Sequence, residues 1–225
     1  MANSILWTYG CSFTQGMWEF DYRGDKVSDN RYHATDKGAP EKRYIWGSEK
    51  NWVELLCSKL EYRYKERHQH IQIENRGKEG SGIIEVYDTM MKDTADWKTD
   101  DWIIIQLPLI SRQFDTTELK RFREDGRDTQ EMLRRWTEGI FNIMSNTNLQ
   151  WFWWMTENPS HNLIGDIQPD RRLLFDNHNT YKDWMFSDHT LFYDSYVGDH
   201  CVDYHQNKEA HIRQAELFYN QIRNR

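Results

Sequence analysis

Three short runs of apolar residues constrain the fold of this chain more than any other feature of its sequence. They occupy residues 4–9, 102–107 and 149–155, and each is apolar on both faces of an extended chain. Strands of this kind belong to parallel sheets that helices cover on both sides. Weaker runs at residues 71–74 and 191–197 raise the expected number of strands to five.

Between these runs, apolar residues recur at the spacing of helices. The four stripes are Trp52, Leu56 and Leu60; Ile83, Tyr87, Met90 and Trp97; Leu133, Trp136, Ile140 and Ile143; and Ala215, Phe218 and Ile222. Ser48, Ser81 and Asn207 are the predicted N-caps, and an Asp128-x-x-Glu131 pattern predicts the start of the third helix. Strands that alternate with helices predict an α/β fold, in which ligands bind beyond the carboxyl ends of the strands.

The organisation along the chain predicts a single domain over residues 1–225. The sequence contains no internal repeat and no Pro/Gly/Ser-rich linker. Two polar but aromatic-rich segments, about residues 17–47 and 156–189, are predicted to be long loops on the ligand-binding side. Aromatic residues make up 15% of the chain. Composition favours rings that fill the core, and the alternative is a surface that stacks on sugars.

Charge and composition exclude several functional classes. The chain has 29 basic and 36 acidic residues and a formal net charge of −7, which argues against a nucleic-acid-binding protein. No apolar run is long enough to cross a bilayer, so no membrane partner is expected. Three scattered cysteines and the lack of a visible secretory signal predict a cytoplasmic protein, with release by lysis or a non-signal route left open. The oligomeric state stays undetermined.

The first motif with chemical potential is GCSFT at residues 10–14, at the end of the first strand. Gly10 permits a tight turn, and Ser12 is then placed with its hydroxyl in the cleft above the sheet. The backbone N–H groups that follow are free to bind an anion. A serine in a turn is common, so its function depends on partners elsewhere in the chain.

Two further motifs offer such partners. NRGKEGSG at residues 75–82 lacks the spacing of a phosphate-binding loop. It is either a flexible turn that ends in a helix cap or a backbone N–H presented to a developing oxyanion. DYHQNKEAH at residues 203–211 places His205 before the last helix, where Asp203 can orient it as a base. His211 falls on an apolar stripe and is interpreted as a hydrogen-bonded core histidine.

In order along nearly the whole chain, these motifs resemble the nucleophile, glycine and acid/base blocks of the SGNH (GDSL-like) hydrolase superfamily. The resemblance implies a three-layer αβα, flavodoxin-like fold with a five-stranded parallel sheet. It also implies a serine esterase without metal or cofactor, in which Ser12 is the nucleophile, His205 the general base and acid, and Asp203 its orienting carboxylate. The backbone N–H groups of Ser12 and Gly80 would form part of the oxyanion hole.

The sequence departs from the family pattern in three places. Cys11 stands where the family has an aspartate beside the nucleophile. One residue, rather than the more common two, separates the carboxylate from the imidazole in the acid/base block. No asparagine follows the third strand, where the family has a further oxyanion donor, and Gln106, Ser111 and Arg112 are the alternatives for that role.

Three hypotheses follow from these motifs. The first is a serine esterase acting on a small-molecule or carbohydrate ester, with an O-acetyl sugar preferred because Trp and Tyr rings suit sugar faces. The second is a non-catalytic glycan-binding module on the same fold, motivated by the missing asparagine. The third and least favoured is a metal-dependent hydrolase. Its ligands would be Asp199, His200, Asp203 and His205, with His211 as an optional fifth.

Overall fold

The computed structural model describes residues 3–11, 14, 50–64, 70–78, 81–108, 129–156, 167–188, 196–197, 200–201 and 208–225. In chain order the elements are β1 (Asn3–Tyr9), α1 (Trp52–Tyr64), β2 (His70–Asn75), α2 (Ile83–Asp93), β3 (Trp102–Leu107), α3 (Thr129–Ser145), β4 (Gln150–Met155), a 3-10 helix (Pro169–Arg171), α4 (Tyr181–Ser187), β5 (Tyr196–Val197), β6 (His200–Cys201) and α5 (Lys208–Arg223). Within these ranges, no helix has the length and apolar character needed to span a membrane.

The four longer strands form a parallel sheet in the order β2-β1-β3-β4. The β1–β2 register ends with Thr8 opposite Asn75, and the β3–β4 register ends with Leu107 opposite Met155. The carboxyl ends of all four strands therefore lie along one edge of the sheet. This is the edge at which an α/β fold binds its ligands.

β1, β3 and β4 bury side chains on both faces of the sheet, and β2 buries Ile71 on one face, which confirms the three-layer αβα class. On one face, strand residues pack with α1 and α5; this cluster includes Leu6, Ile104, Trp154, Trp52, Leu56 and Phe218. On the other face, strand residues pack with α2 and α3; this cluster includes Trp7, Ile103, Ile105, Met90, Ile140 and Phe141. Residues next to each other along a strand thus enter different cores, as the period of two requires.

The aromatic residues of the described ranges mainly fill these cores. The ring of Trp154 lies 5.4–6.1 Å, centroid to centroid, from four other rings, those of Trp52, Phe175, Tyr181 and Phe218. Such edge-to-face and tilted contacts are favourable beyond the area that they bury. In the described part of the chain, the core interpretation of the aromatic residues is therefore confirmed.

The edge of the sheet beside β4 differs from the five strands that were expected. β5 overlaps the predicted strand at residues 191–197, of which residues 191–195 lie outside the described ranges, and it pairs with β6 in an antiparallel two-stranded sheet. Beside β4, Arg172 forms a parallel bridge with Trp153, and the Leu173 N–H donates to the Trp153 carbonyl at 2.7 Å. Where a fifth strand was expected, the described residues thus show a single parallel bridge at Arg172.

The segment predicted as a loop at residues 156–189 is largely packed structure where it is described. It contains the 3-10 helix and α4. The side chains of Phe175, Tyr181 and Trp184 are buried in the same core as α1 and α5. Gln221 of α5 clamps Leu174, accepting from its N–H and donating to its carbonyl, both at 2.8 Å. The other predicted loop, residues 17–47, lies outside the described residues.

The helix starts differ from the predicted caps by a few residues. Asn51 caps α1: its side chain accepts from the Glu54 N–H at 3.1 Å, and the Glu54 carboxylate accepts from the Asn51 N–H at 2.8 Å. This is a reciprocal capping box. At α2 the N-cap is Gly82, one residue after Ser81, and its N–H donates to the Glu85 carboxylate. The other predicted caps, Ser48, Asp128 and Asn207, lie outside the described residues.

His211 is a core histidine, as the sequence predicted. It is fully buried, and its Nδ1 accepts a hydrogen bond from the Trp52 N–H at 3.2 Å. Trp52 is the first residue of α1, and His211 lies one turn into α5. The contact therefore fixes the starts of these two helices side by side.

Cys57 of α1 should be chemically inert in the folded protein. Its thiol is buried and donates to the Ile71 carbonyl, and burial raises its pKa to about 12. At pH 8 only about 10⁻⁴ of the thiol is then ionised, and the thiolate is the species that reacts. We expect iodoacetamide at pH 8 to leave Cys57 unmodified in the native protein and to modify it in urea, as measured by mass spectrometry. Equal modification in both states would contradict this assignment.

Candidate active site

The chain that follows β1 crosses the carboxyl edge of the sheet. Gly10 and Cys11 leave the strand, and the Cys11 carbonyl accepts from the Thr14 N–H at 3.0 Å. Gly10, Cys11 and Thr14 are all buried. We call the stretch from Gly10 to Thr14 the β1 turn. It contains the predicted nucleophile Ser12, which itself lies outside the described residues.

A buried glutamine holds the β1 turn. Gln106, the second-last residue of β3, is fully buried although it stands in an otherwise apolar strand. Its Oε1 accepts from the Cys11 N–H at 2.9 Å and from the Thr14 hydroxyl at 2.5 Å. Its Nε2 donates to the Thr156 hydroxyl at 2.6 Å and to the Cys11 Sγ at 3.1 Å. A primary amide has two acceptor sites and two donor hydrogens, and this network uses all four.

A second amide, at the end of β2, holds the same turn from the other side. The Asn75 Nδ2 donates to the Thr14 carbonyl at 3.0 Å, and the Asn75 Oδ1 accepts from the Gly77 N–H at 3.0 Å. The Lys78 N–H also donates to the Gly10 carbonyl at 3.1 Å. Hydrogen bonds therefore join the glycine motif directly to the nucleophile motif, although about 60 residues separate the two motifs in sequence.

Glycine is needed at position 10 both for the tight turn and because no room exists there for a side chain. Its φ is +158°, and a Cβ built on it would lie 2.2 Å from the Thr14 Oγ1 and 2.3 Å from the Gln106 Oε1. The backbone at Gly10 thus passes directly against the hydrogen bond that joins these two side chains. The sequence indicated a glycine for a tight turn, and the structure adds this close approach as the second reason.

Arg76 of the glycine motif, itself exposed, bonds to a mostly buried network on the α2 side of the sheet. Its Nε donates to the Asp93 carboxylate at 3.1 Å, and its guanidinium lies 5.3 Å from the centre of the Trp7 ring. The same carboxylate accepts from the Tyr9 hydroxyl at 3.1 Å, which in turn accepts from the Trp97 Nε1. Burial raises the pKa of Tyr9 far above its ordinary value, so this hydroxyl stays protonated. The network anchors the end of β1 just before Gly10.

The start of α5 lies near the same edge of the sheet. His211 accepts from the Trp52 N–H, and the Trp52 ring lies 6.1 Å from that of Trp154, the second-last residue of β4. Ala210 and Cys11 are buried in one core cluster with these rings. The acid/base motif runs directly into this helix, so its described end adjoins the edge that carries the β1 turn.

Most of the predicted site residues lie outside the described ranges. They are Ser12, Gly80, Ser111, Arg112, Asp203 and His205, and their roles stay predictions. Gln106 is described, and both hydrogens of its Nε2 are engaged by protein atoms.

Within the described ranges, no cluster of three or more His, Cys, Asp or Glu side chains is suited to hold a metal ion. Of the metal ligands in the third hypothesis, His211 is the one with a described side chain, and it lies in the core.

Three residues of the site had no role assigned from the sequence, namely Thr14 and Asn75, which lie in the named motifs, and Thr156. Each is polar, and each follows or ends a strand on the carboxyl edge. The available signal was the polar Gln106 within the run WIIIQL, because a buried polar side chain requires partners. What the sequence did not supply was the identity of those partners.

Comparison with known proteins adds evidence on the fold. No protein-family model matches the chain, and no curated protein matches it. An acetylxylan esterase from Geobacillus stearothermophilus superposes with a TM-score of 0.56 at 15% identity, covering 98% of this chain and 94% of the other. A lipase from a goat rumen metagenome gives 0.55 at 10% identity, covering 97% of both chains. An alpha/beta hydrolase from the metagenome of Lake Arreo, Spain, gives 0.53 at 15% identity, covering 98% and 95%.

These likenesses extend over almost the whole of each chain and establish the fold. The protein has an α/β fold, with a parallel sheet flanked by helices, that it shares with solved hydrolases. At identities of 10–15%, the shared fold does not carry over any activity.

The close packing around Gly10 predicts that one added methyl group lowers the stability of the fold. Gly10→Ala should lower the free energy of unfolding by about 1–3 kcal/mol, because its Cβ collides with Thr14 and Gln106. Gly139→Ala is the matched control: this glycine is within α3, and its added Cβ would lie 3.5 Å from the Tyr87 ring, an ordinary contact. We expect the control to be neutral or stabilising by up to about 1 kcal/mol in urea titrations. A Gly10→Ala variant as stable as the control would refute the packing described here.

Proposed function

We propose that the protein is a serine esterase of the SGNH type that hydrolyses a small-molecule or carbohydrate ester. The observation that carries the proposal is the β1 turn. Gln106 and Asn75 hold its two sides at the carboxyl edge of the sheet, and the glycine motif is bonded to it. Ser12 lies within this turn in the sequence.

The acid/base motif is the third component of the proposed site. Asp203 and His205 precede α5 by a few residues, and the start of α5 adjoins the same edge of the sheet through His211 and Trp52. A serine nucleophile needs a base within hydrogen-bond reach and a group that orients the base. The position of α5 supports a site in which the imidazole of His205 reaches Ser12.

In the proposed reaction, the Ser12 Oγ attacks the acyl carbonyl while His205 takes its proton. The backbone N–H groups of Ser12 and Gly80 stabilise the oxyanion, and Asp203 stabilises the imidazolium that forms. His205 then donates the proton to the leaving alcohol, which leaves an acyl-serine. His205 next deprotonates a water molecule that attacks this ester, and the acid is released as Ser12 is reprotonated. No metal ion or organic cofactor takes part in these steps.

The substrate proposal is an O-acetyl ester on a carbohydrate. Two of the solved structures with this fold are an acetylxylan esterase and a lipase, so the fold supports ester hydrolysis in other proteins. The aromatic residues at 17–47, whose rings are of the types that stack on sugars, lie outside the described residues. The proposed acyl group is acetyl, the group that p-nitrophenyl acetate also carries.

Replacing the nucleophile provides the first functional test. Ser12→Ala should lower the hydrolysis of p-nitrophenyl acetate by at least about 10³-fold, because the covalent step is lost. Ser145→Ala, at the exposed end of α3, is the control and should leave the rate unchanged. A fluorophosphonate probe should modify Ser12, as mapped by mass spectrometry. Equal rates for wild type and Ser12→Ala would remove Ser12 from the mechanism. Absence of labelling, together with measurable glycan affinity, would favour the non-catalytic binding module.

The orienting carboxylate provides a second, independent test. Asp203→Asn should lower kcat by about 10²- to 10⁴-fold with little change in KM, because the imidazolium loses its partner. Asp100→Asn, in the exposed turn before β3, is the control, with an expected change of less than about 2-fold. A strong chelator should have no effect on the wild type. Loss of activity on chelation would instead support the metal-dependent alternative.

A further inference from the structure

We infer that Gln106 is a positioning residue that fixes the β1 turn on both sides of Ser12, and that it is not an oxyanion donor. This inference rests on the proposed esterase function. It concerns the position at which the family resemblance leads one to expect an asparagine donor and the sequence has none.

The bonding of the amide leaves no hydrogen for a substrate. Both Nε2 hydrogens are directed to Thr156 and Cys11, and the side chain has no exposure to solvent. Turning the Nε2 toward an oxyanion would remove its hydrogen bonds to the Thr156 hydroxyl and the Cys11 Sγ in a buried site. A buried polar group that loses its hydrogen-bond partner is strongly destabilising.

The Oε1 of Gln106 acts on the chain on either side of the nucleophile. It accepts from the N–H of Cys11, which immediately precedes Ser12, and from the hydroxyl of Thr14, which follows two residues later. One oxygen atom thereby holds a backbone N–H before Ser12 and a side-chain hydroxyl after it. A displacement of about 1 Å at such a point can cost about 10²-fold in rate, because catalysis depends on the position of the attacking atom.

Two departures from the family pattern meet in this network. Cys11 replaces the usual aspartate, and its Sγ accepts from the Gln106 Nε2 at 3.1 Å. Thr156 completes the network, because its hydroxyl accepts from Gln106 and donates to the Leu107 carbonyl at 3.1 Å. Cys11 and Gln106 therefore form one unit that supports the turn, and the oxyanion contact is left to other donors.

The hydrogen bond from the Cys11 N–H to Gln106 can be tested by amide exchange, without any activity assay. Cysteine labelled with ¹⁵N marks three backbone amides, at Cys11, Cys57 and Cys201. Gln106→Met keeps the length of the side chain but removes its hydrogen bonds. In this variant the Cys11 amide should exchange with D₂O at least about 10-fold faster than in wild type, because its acceptor is gone. The Cys57 amide, within α1, is the internal control and should change by less than about 2-fold.

The kinetic test separates positioning from direct oxyanion contact. Gln106→Met should lower kcat for p-nitrophenyl acetate by about 10²-fold with KM nearly unchanged. Gln106→Glu keeps an acceptor oxygen for Cys11 and Thr14, so it should retain more of the activity and of the Cys11 protection.

Thr14→Val removes the second contact to the same oxygen. Its loss and that of Gln106→Met should be clearly less than additive in the double variant, because both release one turn. If Gln106→Met does not fold, Thr14→Val tests the same hydrogen bonds, with Thr14→Ser as the conservative control. Thr14→Val should then exchange the Cys11 amide faster and have a lower kcat than Thr14→Ser.

The outcomes distinguish this inference from the proposed function. If wild type is active through Ser12 but the Cys11 exchange is unchanged in Gln106→Met, the inference is overturned and the esterase remains. Additive losses in the double variant also overturn it and favour a direct oxyanion contact. If wild type neither hydrolyses the ester nor is labelled at Ser12, the proposed function fails and the catalytic role of Gln106 fails with it.

Discussion

The carboxyl edge of the sheet depends on one buried side-chain amide. Gln106 joins the end of β3 to the turn after β1 and to Thr156 after β4, and all of its hydrogen-bonding capacity is used. A buried amide is tolerated only when its partners are in place, so this network forms as a unit with the turn that it holds. The close approach of Gly10 and the bond from Lys78 to the Gly10 carbonyl both depend on that turn.

The two cores explain why this polar network lies at the edge. Alternate residues of β1, β3 and β4 enter different apolar layers, so most side chains within the sheet are surrounded by apolar groups. Side chains at the strand ends escape this constraint. The contact between His211 and Trp52 then fixes the start of α5 beside the same edge, so the described end of the last motif, residues 208–211, lies near the edge that carries the β1 turn. The layered packing thus selects the place where a nucleophile and a base from distant parts of the chain can converge.

The parts of the fold that followed from the sequence are those with a strong local pattern. β1, β3 and β4 matched their apolar runs to within one residue, because a strand that is apolar on both faces has one stable environment. Residues 167–188 did not follow, because their apolar residues stand in two short groups at 173–175 and 184–186 without a strand or helix period. The burial of Phe175, Tyr181 and Trp184 comes from tertiary packing in the core that α1 and α5 share. The role of Gln106 depends on the register that sets β3 beside β1, which no local pattern encodes.

The most direct measurement is the distance between the Ser12 Oγ and the nearer imidazole nitrogen of His205 in a crystal structure of the wild-type protein. Serine and histidine that act together lie within hydrogen-bond reach, about 2.6–3.2 Å, or slightly farther without substrate. We expect such a distance at the carboxyl edge of the sheet, next to the Gln106 network. A serine and an imidazole on different sides of the sheet, or separated by packed side chains, would contradict the proposed hydrolysis.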